Sequence, residues 1–227
     1  MEDLTKKAYN FILQCYFGDM SDPVAAAIDR AYSDMASHTL KGFKDDYKKK
    51  WECRFEASKE IYKKVFKLND DIDYDDWHKT LCGEIKGKYY RGVELSDGQA
   101  QKWVNMTMKY LLVFDLIYED KDETQREKIP DFLKNRENID KLHIPLDNYI
   151  LQYYQKEGFL SRRNTSWSKM EYEDYFDCID ELRNQNKTIE NELEDWCTAS
   201  NENRNYDKES YQKHKKDKKD KGNTYKS

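Results

Sequence analysis

Lys102, Asn105 and Lys109 recur at i, i+3 and i+7 in GQAQKWVNMTMKYLL, the stretch from Gly98 to Leu112. That spacing puts two amines and an amide on one face of the most apolar helix-forming segment of the chain, while Trp103, Met106, Tyr110, Val113 and Ile117 form another face. A lysine taken out of water either pairs with an acid or shifts its pKa, and both outcomes make it a candidate for chemistry. Further along, His143-Ile144-Pro145-Leu146-Asp147 sets a histidine and a carboxylate around a proline turn. Lys102, Asp147, Gln101, Asn105, Lys109 and His143 are therefore the candidate residues of a functional site.

Other constellations are thinner. His78 and Cys82 stand at i, i+4, as two zinc ligands on a helix would, but no second pair at metal spacing accompanies them. Asn69 to Asp76, NDDIDYDD, is acidic like a calcium loop yet lacks its central glycine and terminal glutamate. There is no phosphate-binding glycine loop, serine nucleophile elbow or paired zinc knuckle, so kinase, hydrolase and nucleotide-switch chemistry is set aside and no metal or cofactor is expected.

The elements that must position these residues read as helices almost throughout, because three prolines and eight glycines leave few breakers. A first helix covers 3–17 and Gly18 closes it; Ser21-Asp22-Pro23 starts a second, which runs to Met35. A long charged helix follows from about Lys41 to Leu68, then a short one from Trp77 to Ile85, and KGKYYRG forms a turn or short hairpin. Ser96 or Asp97 caps the central helix, which extends to Tyr118. Residues 119–141 look like a charged insertion, with helical character from Thr124 to Asn135 broken near Pro130. Three more helices are expected, from Pro145 or Leu146 to Gly158, from Lys169 to Asn184, and from Thr188 to Cys197. The fold class is therefore all-α, a single multi-helix domain over 1–198.

Composition sets the remaining bounds. Residues 199–227 hold nine Lys/Arg against five Asp/Glu and few aliphatics, which predicts a disordered basic tail. The formal net charge of -5 thus conceals an acidic body, and an acidic body binds nucleic acid only through local patches. Five scattered cysteines suggest a reduced, cytoplasmic setting, and the absence of a long apolar run predicts no membrane span.

Gly98-Gln99-Ala100-Gln101-Lys102 together with Ile144-Pro145-Leu146-Asp147 resembles the two-part signature of the helix-hairpin-helix DNA glycosylase superfamily, nearest to its archaeal 8-oxoguanine branch. The resemblance covers about fifty residues, and 119–141 accounts for an interval longer than that family's. It implies that Lys102 attacks the sugar C1′ of an extruded nucleotide to give a Schiff base, that Asp147 stabilises the developing charge, and that Lys109 matches a further lysine position of the pattern. DNA would then be the partner, held by local patches and the basic tail. The same residues also admit a structural account: Lys102 and Lys109 snorkel from a half-buried helix, and Asp147 complements a helix dipole. On that account the chain is a non-enzymatic helical interaction or ligand-binding protein, such as one from a defence or mobile-element system, with a protein partner.

Overall fold

A computed structural model describes residues 2–35, 40, 46–90, 92–119, 121–163 and 165–202. Its elements are helical: α1 (Glu2–Phe17), α2 (Pro23–Asp34), α3 (Tyr47–Val65), α4 (Tyr74–Gly87), α5 (Asp97–Tyr118), the short α6 (Glu123–Arg126) and α7 (Asp131–Lys134), a 3-10 turn (Arg136–Lys141), α8 (Asn148–Lys156), a second 3-10 turn (Trp167–Lys169), α9 (Tyr172–Asn184), and α10 over residues 189–202. No described helix is long and apolar enough to cross a membrane.

Local chemistry fixes where these helices begin. The Asp22 carboxylate accepts from the amides of Val24 and Ala25, with Pro23 in the first turn where its missing N–H costs nothing. Ser96 and Gln99 form a reciprocal capping box at the start of α5. Asp147 caps α8 through the Ile150 amide at 3.0 Å.

Helix α5 is the axis of the fold, with 18 of its 22 residues buried. Ala27 and Ala31 on α2 let the two backbones approach closely, and the Trp103 indole N–H donates to the Ile28 carbonyl at 3.0 Å. Helix α4 packs on another side of α5, and α3 closes over α2 and α4. At the N-terminus of α5 a Cβ on Gly98 would lie 1.8 Å from the Trp167 carbonyl oxygen, so only glycine fits. There the Gly98 amide donates to the Met170 carbonyl at 3.1 Å and the Ser96 hydroxyl to that of Ser168 at 2.7 Å. The 167–170 turn is therefore laid directly across the end of the central helix.

Several boundaries differ from the sequence expectation. The long charged helix runs from Tyr47 to Val65, and 41–45 lie outside the described residues. Helix α4 continues through Gly87, whose Cβ position faces open space, so Lys86 and Gly87 of KGKYYRG close the helix and Lys88 caps it. The charged stretch 119–141 splits at Pro130 as expected, and it buries Ile129, Phe132, Leu133 and Ile139 against the body. The last helix extends to residue 202 with Ala199 and Ser200 buried, so the expected tail loses its first four residues to α10; 203–227 lie outside the described residues.

Trp103 is fully buried, and its N–H is satisfied only by the α2 backbone. Trp103→Ala should lower the unfolding free energy by about 3 to 5 kcal/mol in urea titration. A loss below about 1 kcal/mol would mean that α2 and α5 are not held together at this side chain.

Candidate functional site: the polar seam of α5

The residues singled out by spacing do come together. The Lys102 Nζ lies 2.8 Å from the Asp147 Oδ2, although the two are 45 residues apart, and the lysine side chain is only 4% exposed. Asp147 uses its other oxygen to cap α8, so one carboxylate holds an amine on α5 and orients a second helix. Two turns further along α5, the Lys109 Nζ stands 2.5 Å from the Glu192 Oε2 of α10, a carboxylate wholly removed from solvent.

Between these ion pairs runs a chain of hydrogen bonds whose directions follow from donor counting. Gln101 donates its amide N–H groups to the carbonyls of Gly98 and Leu146, at 2.9 and 3.4 Å. Asn105 donates to the Gln101 Oε1 at 3.0 Å and to the Tyr175 hydroxyl at 2.8 Å. Tyr175, left with its own proton to give, donates to the His143 Nδ1 at 2.7 Å. The His143 Nε2–H then donates to Asp75 at 2.7 Å, and Arg183 clamps that carboxylate with two bonds of 2.7 and 2.8 Å. His78 packs against His143 with the rings tilted and 4.5 Å between centroids, and pairs with the Tyr172 hydroxyl at 2.9 Å. The polar path thus runs from α5 to the surface at Asp75, through α9.

Burial sets the electrostatics. Desolvation alone would raise the Asp147 pKa, but the Lys102 charge and the helix amides outweigh it and hold the carboxyl below its ordinary range. Glu192 is the opposite case: desolvation raises its pKa and Lys109 only partly offsets the rise. Burial pushes both His78 and His143 below the ordinary histidine value, so both are neutral at pH 7. Asp75 would rise on burial, yet the bonds from Arg183 and His143 drive it well below the usual carboxylate range. Burial drives the Tyr175 phenol well up, which keeps it a donor.

Lys102, Gln101 and Asn105 share a buried strip of α5 that Asp147 and His143 reach from outside the helix, and both Lys102 and Lys109 depart from snorkelling because an acid meets each. Glu192, Tyr175, Asp75 and Arg183 were not singled out in the sequence. Glu192 carried a signal, since it falls at i+3 from Ile189 on the apolar face of its helix. His78 and Cys82 lie together, sulfur to ring nitrogen at 3.8 Å, inside the core rather than at its surface. Among the described residues no group of three or more potential ligands gathers around a metal position. Comparison of the chain with protein-family models, with curated proteins and with solved structures gives no match.

Removing one partner of a buried pair leaves the other charge uncompensated. Lys109→Met should therefore cost about 3 to 5 kcal/mol, whereas Lys109→Met with Glu192→Leu should return stability to the wild-type level or above it. Urea midpoints for the four members of the cycle test this, and simply additive losses would contradict the pairing.

The histidines set the acid limb of the stability curve. As pH falls below about 6.5 the unfolded chain takes up protons that native His78 and His143 refuse, so stability declines. Asp75, depressed in the native state, adds a second loss as pH falls through the ordinary carboxylate range near 4. Unfolding free energy should be lower at about pH 5 than at about pH 8, and equal values would show that the buried histidines are not held neutral.

Proposed function

We propose that this chain is a non-enzymatic helical binding protein in which the α5 seam is a rigid internal frame. The observation that carries this reading is the closure of the seam: the Lys102 amine is 4% exposed, ion-paired at 2.8 Å, and flanked by a Gln101 whose donors are both used. A nucleophilic amine must be neutral and must reach an incoming carbon. Here it is engaged by the Asp147 carboxylate at 2.8 Å and closed off from any incoming carbon. The 167–170 turn also covers the N-terminus of α5, the end from which the glycosylase pattern would work.

A second reading is favoured by the same pair seen differently. An α5 lysine joined to an aspartate that caps the next long helix is the partnership that the resemblance to DNA glycosylases implies, and His143 with Tyr175 and Asn105 would then recognise an extruded base. For that chemistry α8 and the 167–170 turn would have to part from α5 and release Lys102. Borohydride reduction in the presence of oligonucleotides containing 8-oxoguanine or an abasic site distinguishes the two. The binding-protein reading expects no covalent adduct. An adduct formed by the wild type and lost in Lys102→Gln would overturn it and establish the lysine chemistry.

A further inference from the structure

Helix α3 is the outlier of the surface. It carries seven Lys/Arg against three Glu, whereas α9 has five acids against one arginine and residues 189–202 have five acids and no lysine or arginine. Along one face of this cationic helix, Tyr47, Trp51, Phe55 and Tyr62 recur at i, i+4, i+8 and i+15, and all four are exposed, Trp51 at 60% and Phe55 at 46%. Soluble proteins seldom leave such a stripe open without a use for it.

The stripe borders a groove of about 390 Å³ between α2 and α3, floored by Ala25 and Ile28 and walled by Trp51, Arg54, Phe55 and Tyr62. That volume falls within the range of small-ligand sites, roughly 300 to 1,000 Å³. The Trp51 and Phe55 rings are stacked, 5.1 Å between centroids and 9° from parallel, and the Lys59 amine lies 5.4 Å from the Phe55 ring centre. Arg54 is braced by Asp29 at 2.7 Å, which fixes its guanidinium at the groove wall, and Tyr62 is tied to Asp22 at 3.1 Å. One further feature points to a ligand. The Ser58 hydroxyl, which also lines the groove, is buried and makes no hydrogen bond within the described structure. An orphaned buried hydroxyl is costly unless something else completes it.

We propose that the α2–α3 groove binds single-stranded nucleic acid, with Trp51 and Phe55 as the stacking platform for unpaired bases, the α3 cations neutralising phosphates, and Ser58 bonding the ligand. The inference deepens the binding-protein reading by naming a ligand class and a face. Flat aromatic faces beside a cationic track suit a strand whose bases are free to splay. A duplex hides its base faces in its own stack, and an acidic peptide has charge but few faces to stack. The cations at the groove are held by exposed carboxylates, Arg54 by Asp29 and Lys59 by Glu56, and a bound phosphate exchanges with those weak surface pairs.

Fluorescence anisotropy with a labelled twelve-nucleotide oligothymidylate, using the full chain at about 50 mM salt, tests the site. Wild type should bind, and Trp51→Ala should weaken binding by about 5- to 100-fold with an unchanged thermal midpoint, since the substitution removes an exposed ring and no charge. Ser58→Ala should weaken binding while leaving the midpoint equal or higher, which a purely structural serine would not do. Unchanged affinity in Trp51→Ala overturns the proposal, as does failure of the wild type to bind. Displacement of the oligonucleotide by polyglutamate at equal charge concentration would also overturn it, and would assign the face to an acidic protein. The trapping experiment reads Lys102 alone, so failure there and failure here are separable.

Discussion

Burying a charge obliges the chain to deliver a counter-charge to the same place, and α5 buries three. Lys102 is met by Asp147 at the head of α8, and Lys109 by Glu192 on α10. Asp115, also wholly buried, is met by Arg126 at 2.8 Å and Arg136 at 3.0 Å from the segment after α6 begins. The elements that carry these counter-charges, α8, α10 and the segment with Arg126 and Arg136, thus arrive at the central helix with little freedom in how they are placed. An apolar stripe would let α8 or α10 slide by a turn at modest cost. A desolvated ion pair does not, because a displacement of a few ångströms leaves two uncompensated charges in a medium of low dielectric.

The pairs do not by themselves make the fold stable. Desolvating two ions costs about as much as their attraction returns, and the favourable balance comes from the apolar residues around them. Trp103, Leu111, Leu112 and Phe114 on α5, packed with Val24, Ile28, Ile61, Leu81 and Ile85, remove apolar surface from water on a scale that no hydrogen-bond network matches. Division of labour is the result. Aliphatic and aromatic packing supplies the driving force, and the seam selects one arrangement among those that packing alone would permit.

The all-α class and the starts of α2 and α5 were legible because they depend on local rules, capping oxygens at Asp22 and Ser96 and apolar residues at helical spacing, whereas Asp147, expected inside its helix, caps it instead. The Lys102–Asp147 meeting was anticipated through the resemblance to the glycosylase signature, whereas residue types alone also allowed the two to stay apart. What could not be read was the remainder of the seam. Glu192 looks like one more acid in an acidic helix until its face is known, and Arg183 and Asp75 lie far apart in sequence with no local pattern to link them. The snorkelling account of Lys109 failed for a related reason, since a lysine stem reaches water only when no later element seals the exit. The packed state of 119–141 was hidden by its charge, because only four scattered apolar residues decide that it folds onto the body.

The order in which those counter-charges appear along the chain has a consequence for how the protein is made. Synthesis releases α5 with Asp115's arginines close behind it, Asp147 later, and Glu192 only when nearly the whole described chain has emerged. Until then Lys109 has no partner and is better off hydrated, so the side of α5 that faces α10 stays wet while the α2 side is free to dry. The growing chain should therefore stay half sealed until residue 192 is free, with consolidation of that side deferred to the arrival of one glutamate.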